Sequence, residues 1–167
     1  MKLGQINTLV IDRFTPPGAF LKDSLGNEVL LPRKYLLDEY QLEQEIDVFV
    51  FKDSEQRIVS TTETPHLLLD EFKYLKVTQI QPIGAFVDWG LDKNLLVPYS
   101  EQLYKLEEEE SYLVALKHDK KTDRLYGSMK IKNLLEPCTE DLTGEKVNLL
   151  ICEYNDLGIS VIVNKKF

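Results

Sequence analysis

Five side chains able to carry positive charge, Lys117, His118, Lys120, Lys121 and Arg124, fall within the eight residues KHDKKTDR at 117–124. A cluster of that kind attracts an extended anion, because its summed potential follows a chain of charges. Gly-Ala-Phe stands at 84–86, and the same three residues recur at 18–20. A phenylalanine offers a flat face on which another planar ring can stack. Asp53 with Arg57, and Asp119 with Arg124, add an acid–base pair late in each copy. These are the residue types of a surface that holds something both charged and planar. They are not those of a catalyst. The sequence has no nucleophile elbow, phosphate-loop glycine pattern or HExxH, and no pair among its many carboxylates is set apart for acid–base work. His66 and His118 stand alone, and no Cys/His spacing suits zinc. No catalytic residue, metal or cofactor is expected.

Each of these residues also has an ordinary role. A lysine-rich hairpin is commonly a solvated turn, and a strand phenylalanine is commonly core. Alternation separates the two cases for the phenylalanines. Ala19 and Leu21 fall on one face with Phe20 and Lys22 on the other; Ala85 and Val87 likewise oppose Phe86 and Asp88. Side chains along a strand alternate with period two, so each phenylalanine shares a face with a charged residue. That favours an exposed ring, with a barrel-to-barrel contact as the alternative. Tyr99, Tyr104 and Tyr112 fit packing of a connector, and Glu107–Glu110 fits a solvated end.

The elements that position these residues are themselves repeated. At an offset of 66, Pro16 meets Pro82, Gly18 meets Gly84, Phe20 meets Phe86, Pro32 meets Pro98 and Asp53 meets Asp119. A fixed period of this kind sets the architecture. Each copy reads as five short strands: a long β-branched strand (3–14 and 71–80), the Gly-Ala-Phe strand, a third strand ended by proline, and two last strands. The connectors RKYLLDEYQ and YSEQLYKLEEEE are expected to be short helices. The fold class is all-β: tandem five-stranded Greek-key barrels of OB type with short helical connectors, an SH3-like barrel being the alternative. The expected domains are 1–66 and 67–133, with 134–167 as a linker and the first two strands of an incomplete third repeat. A lone hairpin is marginal in water, so residues 144–167 require cover from the second barrel, from another protein chain or from a missing C-terminal region.

Charge and composition narrow the partners. The net charge of −8 opposes bulk adhesion to DNA or anionic lipid. Residues 67–133 carry ten basic and eleven acidic side chains, against seven and eleven in 1–66, so the second copy is the less acidic. No apolar run approaches a membrane span, and MKLGQINTLV lacks the features of a signal peptide. Cys138 and Cys152 fit reduced bystanders in a cytoplasm.

VTQIQPIGAFVDWGLDKNLLVPYSE followed by VALKHDKKTDRLYGSMK resembles the RNA-binding repeat named after ribosomal protein S-one. The tandem arrangement, with MKLGQINTLVIDRFTPPGAFLKD and LLPRKYL, is similar to the conserved virulence factor B family of bacterial regulators. That resemblance implies OB barrels that bind RNA, and in the family a completed third barrel and a winged helix. Its nucleic-acid face carries over here as Phe20, Phe86 and the pairs Asp53/Arg57 and Asp119/Arg124. An aromatic is replaced by Pro17 and Ile83, a histidine by Pro32 and Pro98, and in the third copy Ser160 replaces the phenylalanine.

Single-stranded RNA is held by neutralising its phosphates and stacking its bases. The expected contacts are Phe20, Arg33, Lys34, Asp53 and Arg57 in the first copy. In the second they are Phe86, Lys93, Lys117, Asp119, Lys120, Lys121 and Arg124. The second copy is the stronger candidate, because the equivalent loop of the first, KDSEQR, is nearly neutral. The expectation is a cytoplasmic, sequence-tolerant RNA-binding regulator, the alternative being a protein-interaction scaffold without nucleic-acid binding.

Overall fold

Alternating burial turns the repeated segments into strands: Leu9 and Ile11 point inward in the first copy, Leu75 and Val77 in the second. The computed structural model describes residues 1–167 except Ser54, Gln56, Asp156 and Leu157. It divides into two compact units, Met1–Met129 and Lys130–Phe167.

In the first unit, β1 (Ile6–Thr15), β2 (Gly18–Lys22), β3 (Glu28–Pro32), β4 (Glu45–Lys52) and β5 (Ile58–Thr61) close into a barrel of order β1-β2-β3-β5-β4. This is the OB order. The parallel seam between β3 and β5 consists of one residue pair, Leu30 and Val59. β6 (Phe72–Gln81), β7 (Gly84–Val87), β8 (Leu95–Pro98), β9 (Ser111–Asp119) and β10 (Arg124–Ser128) repeat that order as a five-stranded sheet, β10-β9-β6-β7-β8. The expected closed ladder of the second barrel is therefore open at one seam. In the first barrel closure rests on a single pair, so losing its equivalent opens the ladder without parting the strands. A Cβ on Gly127 of β10 would lie 2.7 Å from a Val97 methyl on β8. Glu101 ties the seam as well, accepting from the Ser128 hydroxyl at 2.6 Å and, through its carbonyl, from the Met129 amide at 2.9 Å.

The repeated glycine has a steric cause. The register of the first strand slips between Ile11 and Arg13, and between Val77 and Gln79, just ahead of Gly18 and Gly84. Bulged strands twist sharply, and here the second strand is brought onto the backbone of the third. A Cβ on Gly18 (φ +156°) would sit 2.0 Å from the Leu31 carbonyl oxygen, and one on Gly84 (φ +147°) 2.3 Å from that of Val97. Only glycine fits both the torsion and the approach.

The expected connector helices shrink to single 3₁₀ turns, Arg33–Tyr35 and Tyr99–Glu101, each entered from a proline. A longer helix has a costly nucleus, and the chain turns extended again at Leu36 and Gln102. The connector tyrosines pack locally: Tyr99 donates to the Gln81 carbonyl at 2.9 Å, and the rings of Tyr104 and Tyr112 lie 6.0 Å apart.

The two barrels share a core. Val48 and Val50 of β4 point into the first barrel, and Phe49 between them is fully buried in the hydrophobic cluster of the second. There it meets Trp89 edge-on, with ring centroids 5.7 Å apart. The Lys52 ammonium bridges to Asp123 at 2.6 Å, Lys34 pairs with Asp92, and the Leu69 amide donates to the Gly4 carbonyl at 2.8 Å. Phe49 fills the barrel-to-barrel role that the sequence left open for Phe20 and Phe86.

In the second unit a 3₁₀ turn, Lys132–Leu134, precedes a lone hairpin of β11 (Leu149–Asn155) and β12 (Gly158–Val163). Its register slips between Ile151 and Glu153, at the same distance before Gly158 as in the other two copies. Gly158 (φ +138°) has open space around its missing Cβ. Leu149, Ile151, Ile159 and Val161 are all 40% or more exposed.

Candidate nucleic-acid interface

A row of side chains crosses the outside of the first barrel. Phe20 pairs with Leu30, Leu30 with Val59, and Val59 with Phe51. Directly paired residues share a face, so one rung runs from β2 through β3 and β5 to β4. Phe20 and Phe51 are half-buried, whereas Ala19, Leu21 and Val50 beside them are core. Phe86 stands the same way between buried Ala85 and Val87 and pairs with Leu96.

The two phenylalanines have different surroundings. Opposite Phe20 on β1 is Arg13, whose guanidinium lies 4.2 Å from the ring centroid. Glu28 and Asp12 hold it there, each accepting a hydrogen bond at 2.9 Å. Arg13 in turn holds the Glu28 carboxyl below the usual carboxylate range, while Lys22 and then Arg13 do so for Asp12. Opposite Phe86 stands Gln79. One face of the first ring is therefore capped by a cation, and the second ring has a neutral side chain at that position.

A cleft of about 650 Å³ opens over the first barrel, lined by Phe20, Leu30, Tyr35 and Phe51 with Lys34, Asp53, Arg57 and Lys93 among its charged groups. A second, of about 280 Å³, is lined by Ile83, Phe86, Trp89 and Leu96 with Lys52, Asp53, Lys93 and Arg124. Phe51, Asp53 and Lys93 line both. Trp89 fixes the loop carrying Lys93 by donating its indole N–H to the Lys93 carbonyl.

Most of the expected contact residues gather in these clefts, and several already have partners. Asp53 closes the β4–β5 turn, accepting from the backbone amides of Glu55 at 2.8 Å and Arg57 at 3.0 Å and from Arg57 Nε at 2.8 Å. Burial would raise the Asp53 pKa, but hydrogen bonds from Arg57 and the turn amides outweigh it and hold it low. Of the KDSEQR loop, Ser54 and Gln56 lie outside the described residues. Lys34 is tied to Asp92, lies over the Tyr35 ring at 4.5 Å, and has its pKa raised first by Asp92. Arg33 lies apart, in a recess with Phe14 and Tyr40.

On the second barrel only Arg124 of the basic hairpin lines the Phe86 cleft. Lys117 reaches Asp70 at 3.3 Å, and His118 meets Asp123 at 2.7 Å. Asp119 caps its own turn, accepting from the Thr122 hydroxyl at 2.7 Å and then the Lys121 amide at 2.9 Å, contacts that keep its pKa low. Lys120 and Lys121 are exposed at the hairpin tip.

Sequence reasoning missed Phe51, Trp89, Lys52 and Arg13. A signal for the first existed: VFVF at 48–51 is apolar on both faces, the mark of a strand covered on both sides. At the equivalent positions the second copy has Ala115 and Lys117. Among the described residues no three or more His, Cys, Asp or Glu side chains gather as they would around a metal ion, and no helix is long and apolar enough to cross a membrane. The arrangement offers rings and cations on a concave surface.

Comparison with known proteins follows the same lines. A model described as the S1 domain matches residues 3–63. The chain is 31% identical over 150 residues to Uncharacterized protein YitL of Bacillus subtilis, covering 87% of this chain and 47% of that one. It is 27% identical over 141 residues to Conserved virulence factor B of Staphylococcus epidermidis, covering 80% of this chain and 47% of that protein. The chain thus spans about half the length of the curated relatives it matches. A crystal structure of a multidomain protein with nucleic acid binding domains from Streptococcus pneumoniae superposes with a TM-score of 0.65 at 20% identity, over 98% of this chain and 60% of that one. At that identity the likeness shows the fold. The bulged strand, the tight Gly18 and the closed barrel thus lie within the residues that match the S1 domain, and over most of its length the chain is similar to YitL and to the conserved virulence factor B proteins.

Proposed function

We propose that this chain binds single-stranded RNA with little sequence preference, as part of a cytoplasmic bacterial regulator of gene expression, and that it is not an enzyme. The observation that carries the reading is Phe86: a half-buried ring between two core residues, lining a cleft with Arg124 and Lys93. Stacking tolerates any base, because every base has a π-face. The S1 match and the relatives named as virulence factor B support the same reading. In this proposal residues 1–66 and 67–133 are S1-type barrels and 134–167 begins a third. Arg124 and Lys93 meet phosphates in the cleft, and Lys120 and Lys121 meet those of the strand leaving it. Lys117, Asp119, Asp53 and Arg57 shape the loops.

The test is Phe86→Ala with a fluorescent oligouridylate at low salt. One lost stacked base costs about 1–3 kcal/mol, roughly a 5- to 150-fold loss of affinity. A core phenylalanine would instead cost about 3–5 kcal/mol of stability. The expected result is weakened binding at a nearly unchanged melting temperature. The acidic surface, with a net charge of −8, favours a second reading, a protein-interaction scaffold. Wild-type protein that binds no RNA at low salt would decide for it.

A further inference from the structure

The two clefts of the first unit meet at Phe51, Asp53 and Lys93, which line both. From this we infer that the seam between the barrels is itself a nucleotide site. One RNA strand would run from Phe20 over Phe51 to Phe86 instead of occupying each barrel separately. The inference rests on the RNA-binding reading, adds a platform, Phe51, at the junction, and makes Lys93 a contact shared by both clefts.

Three observations carry it. The ladder pairs Phe20–Leu30, Leu30–Val59 and Val59–Phe51 make a continuous apolar rung, about 14 Å long at the usual spacing between strands. Phe51 is backed by Phe49, with ring centroids 6.0 Å apart and planes at 24°. Phe49 is in turn locked against Trp89. A ring fixed from behind loses little freedom when a base stacks on it. The charge is complementary as well. The two clefts together present five basic side chains and three acidic ones, on a chain whose net charge is −8. Two of these acids pair with bases of the same clefts, Asp92 with Lys34 and Asp53 with Arg57, while Glu28 is held by Arg13 and Lys52 by Asp123. Lys93 is exposed, and among the described residues no carboxylate pairs with it.

A single OB fold takes about 4–16 nucleotides, so length separates one track from two sites. Labelled oligouridylates of about 4 and about 16 nucleotides are titrated into the full chain. The expected result is one long oligomer per chain, bound more tightly than the short one. Phe51→Leu keeps apolar packing on Phe49 but removes the stacking face, and it should weaken the long oligomer by about 5- to 150-fold. Phe51→Tyr should restore tight binding. Lys93→Ala probes the same seam without touching packing, and it should weaken the long oligomer more than the short one. Two long oligomers per chain overturn the seam. So does unchanged long-oligomer affinity in both Phe51→Leu and Lys93→Ala while Phe86→Ala still weakens binding, which leaves the single-barrel reading standing. Wild-type protein that binds neither oligomer overturns the RNA reading itself.

Discussion

Phe49→Ala is the substitution with the largest expected consequence for the fold. The ring belongs to β4 of the first barrel, is fully buried, and packs in the cluster of the second against Trp89. Truncating a core phenylalanine costs about 3–5 kcal/mol, because buried apolar surface is lost and a cavity remains. For a unit of this size each kcal/mol moves the melting temperature by about 4 °C, so a drop of about 12–20 °C is expected. Cooperativity should change too. With the plug in place the two barrels should melt as one transition; without it, calorimetry should resolve two. Phe14→Ala is the control: it removes a ring that is 46% exposed, and such a surface change is worth within about 0.5 kcal/mol. A Phe49→Ala shift as small as that of Phe14→Ala would refute the shared core, as would an unchanged single transition at a slightly lower temperature.

Three further outcomes are expected. Gly84→Ala forces a Cβ to within 2.3 Å of a backbone oxygen and should lower the melting temperature by more than torsional strain alone, about 1–3 kcal/mol, would explain, whereas Gly158→Ala, with open space around it, should cost its own hairpin that torsional strain only. Replacing Lys120 and Lys121 with alanine should flatten the logarithmic salt dependence of oligouridylate binding by about 1.4, at about 0.7 per phosphate contact; an unchanged slope returns the hairpin tip to solvent. Hydrogen bonds from Lys34 hold Asp92 below its ordinary 3.8, and those from Lys52 and then His118 do so for Asp123. Depressed carboxylates stabilise fully above their unfolded value and lose that contribution as pH falls through the folded one. The double variant Asp92→Asn/Asp123→Asn should therefore lose less of its urea midpoint than wild type between about pH 6 and pH 3, and equal losses would count against the two bridges.

The sequence made legible whatever depends on local repetition. The period of 66 aligned the glycines, and alternation put Phe20 and Phe86 on the face away from Ala19 and Ala85, because both signals need only neighbouring residues. Contacts across long separations were not legible. Lys34 meets a partner 58 residues away, and nothing near it announces Asp92. Arg13 covers Phe20 only because the register slips between Ile11 and Arg13, and a bulge of one residue decides which side chain stands opposite. The connectors were misjudged in extent because proline marks where a helical turn begins and says nothing about how soon it ends. Phe49 and Phe51 were hidden inside a strand that already had a core face, so its second apolar face passed unremarked.

The plug has a polarity. Phe49 projects from the first barrel into the second, and a head-to-tail contact of this sort, repeated, would propagate indefinitely as a solenoid or filament does. The second barrel presents Ala115 and Lys117 where the first presents its rings. A methyl group cannot fill a socket shaped for a phenyl ring, and an ammonium resists entering one. The series of such plugs thus ends with the first copy, because the second has no counterpart of Phe49 to insert.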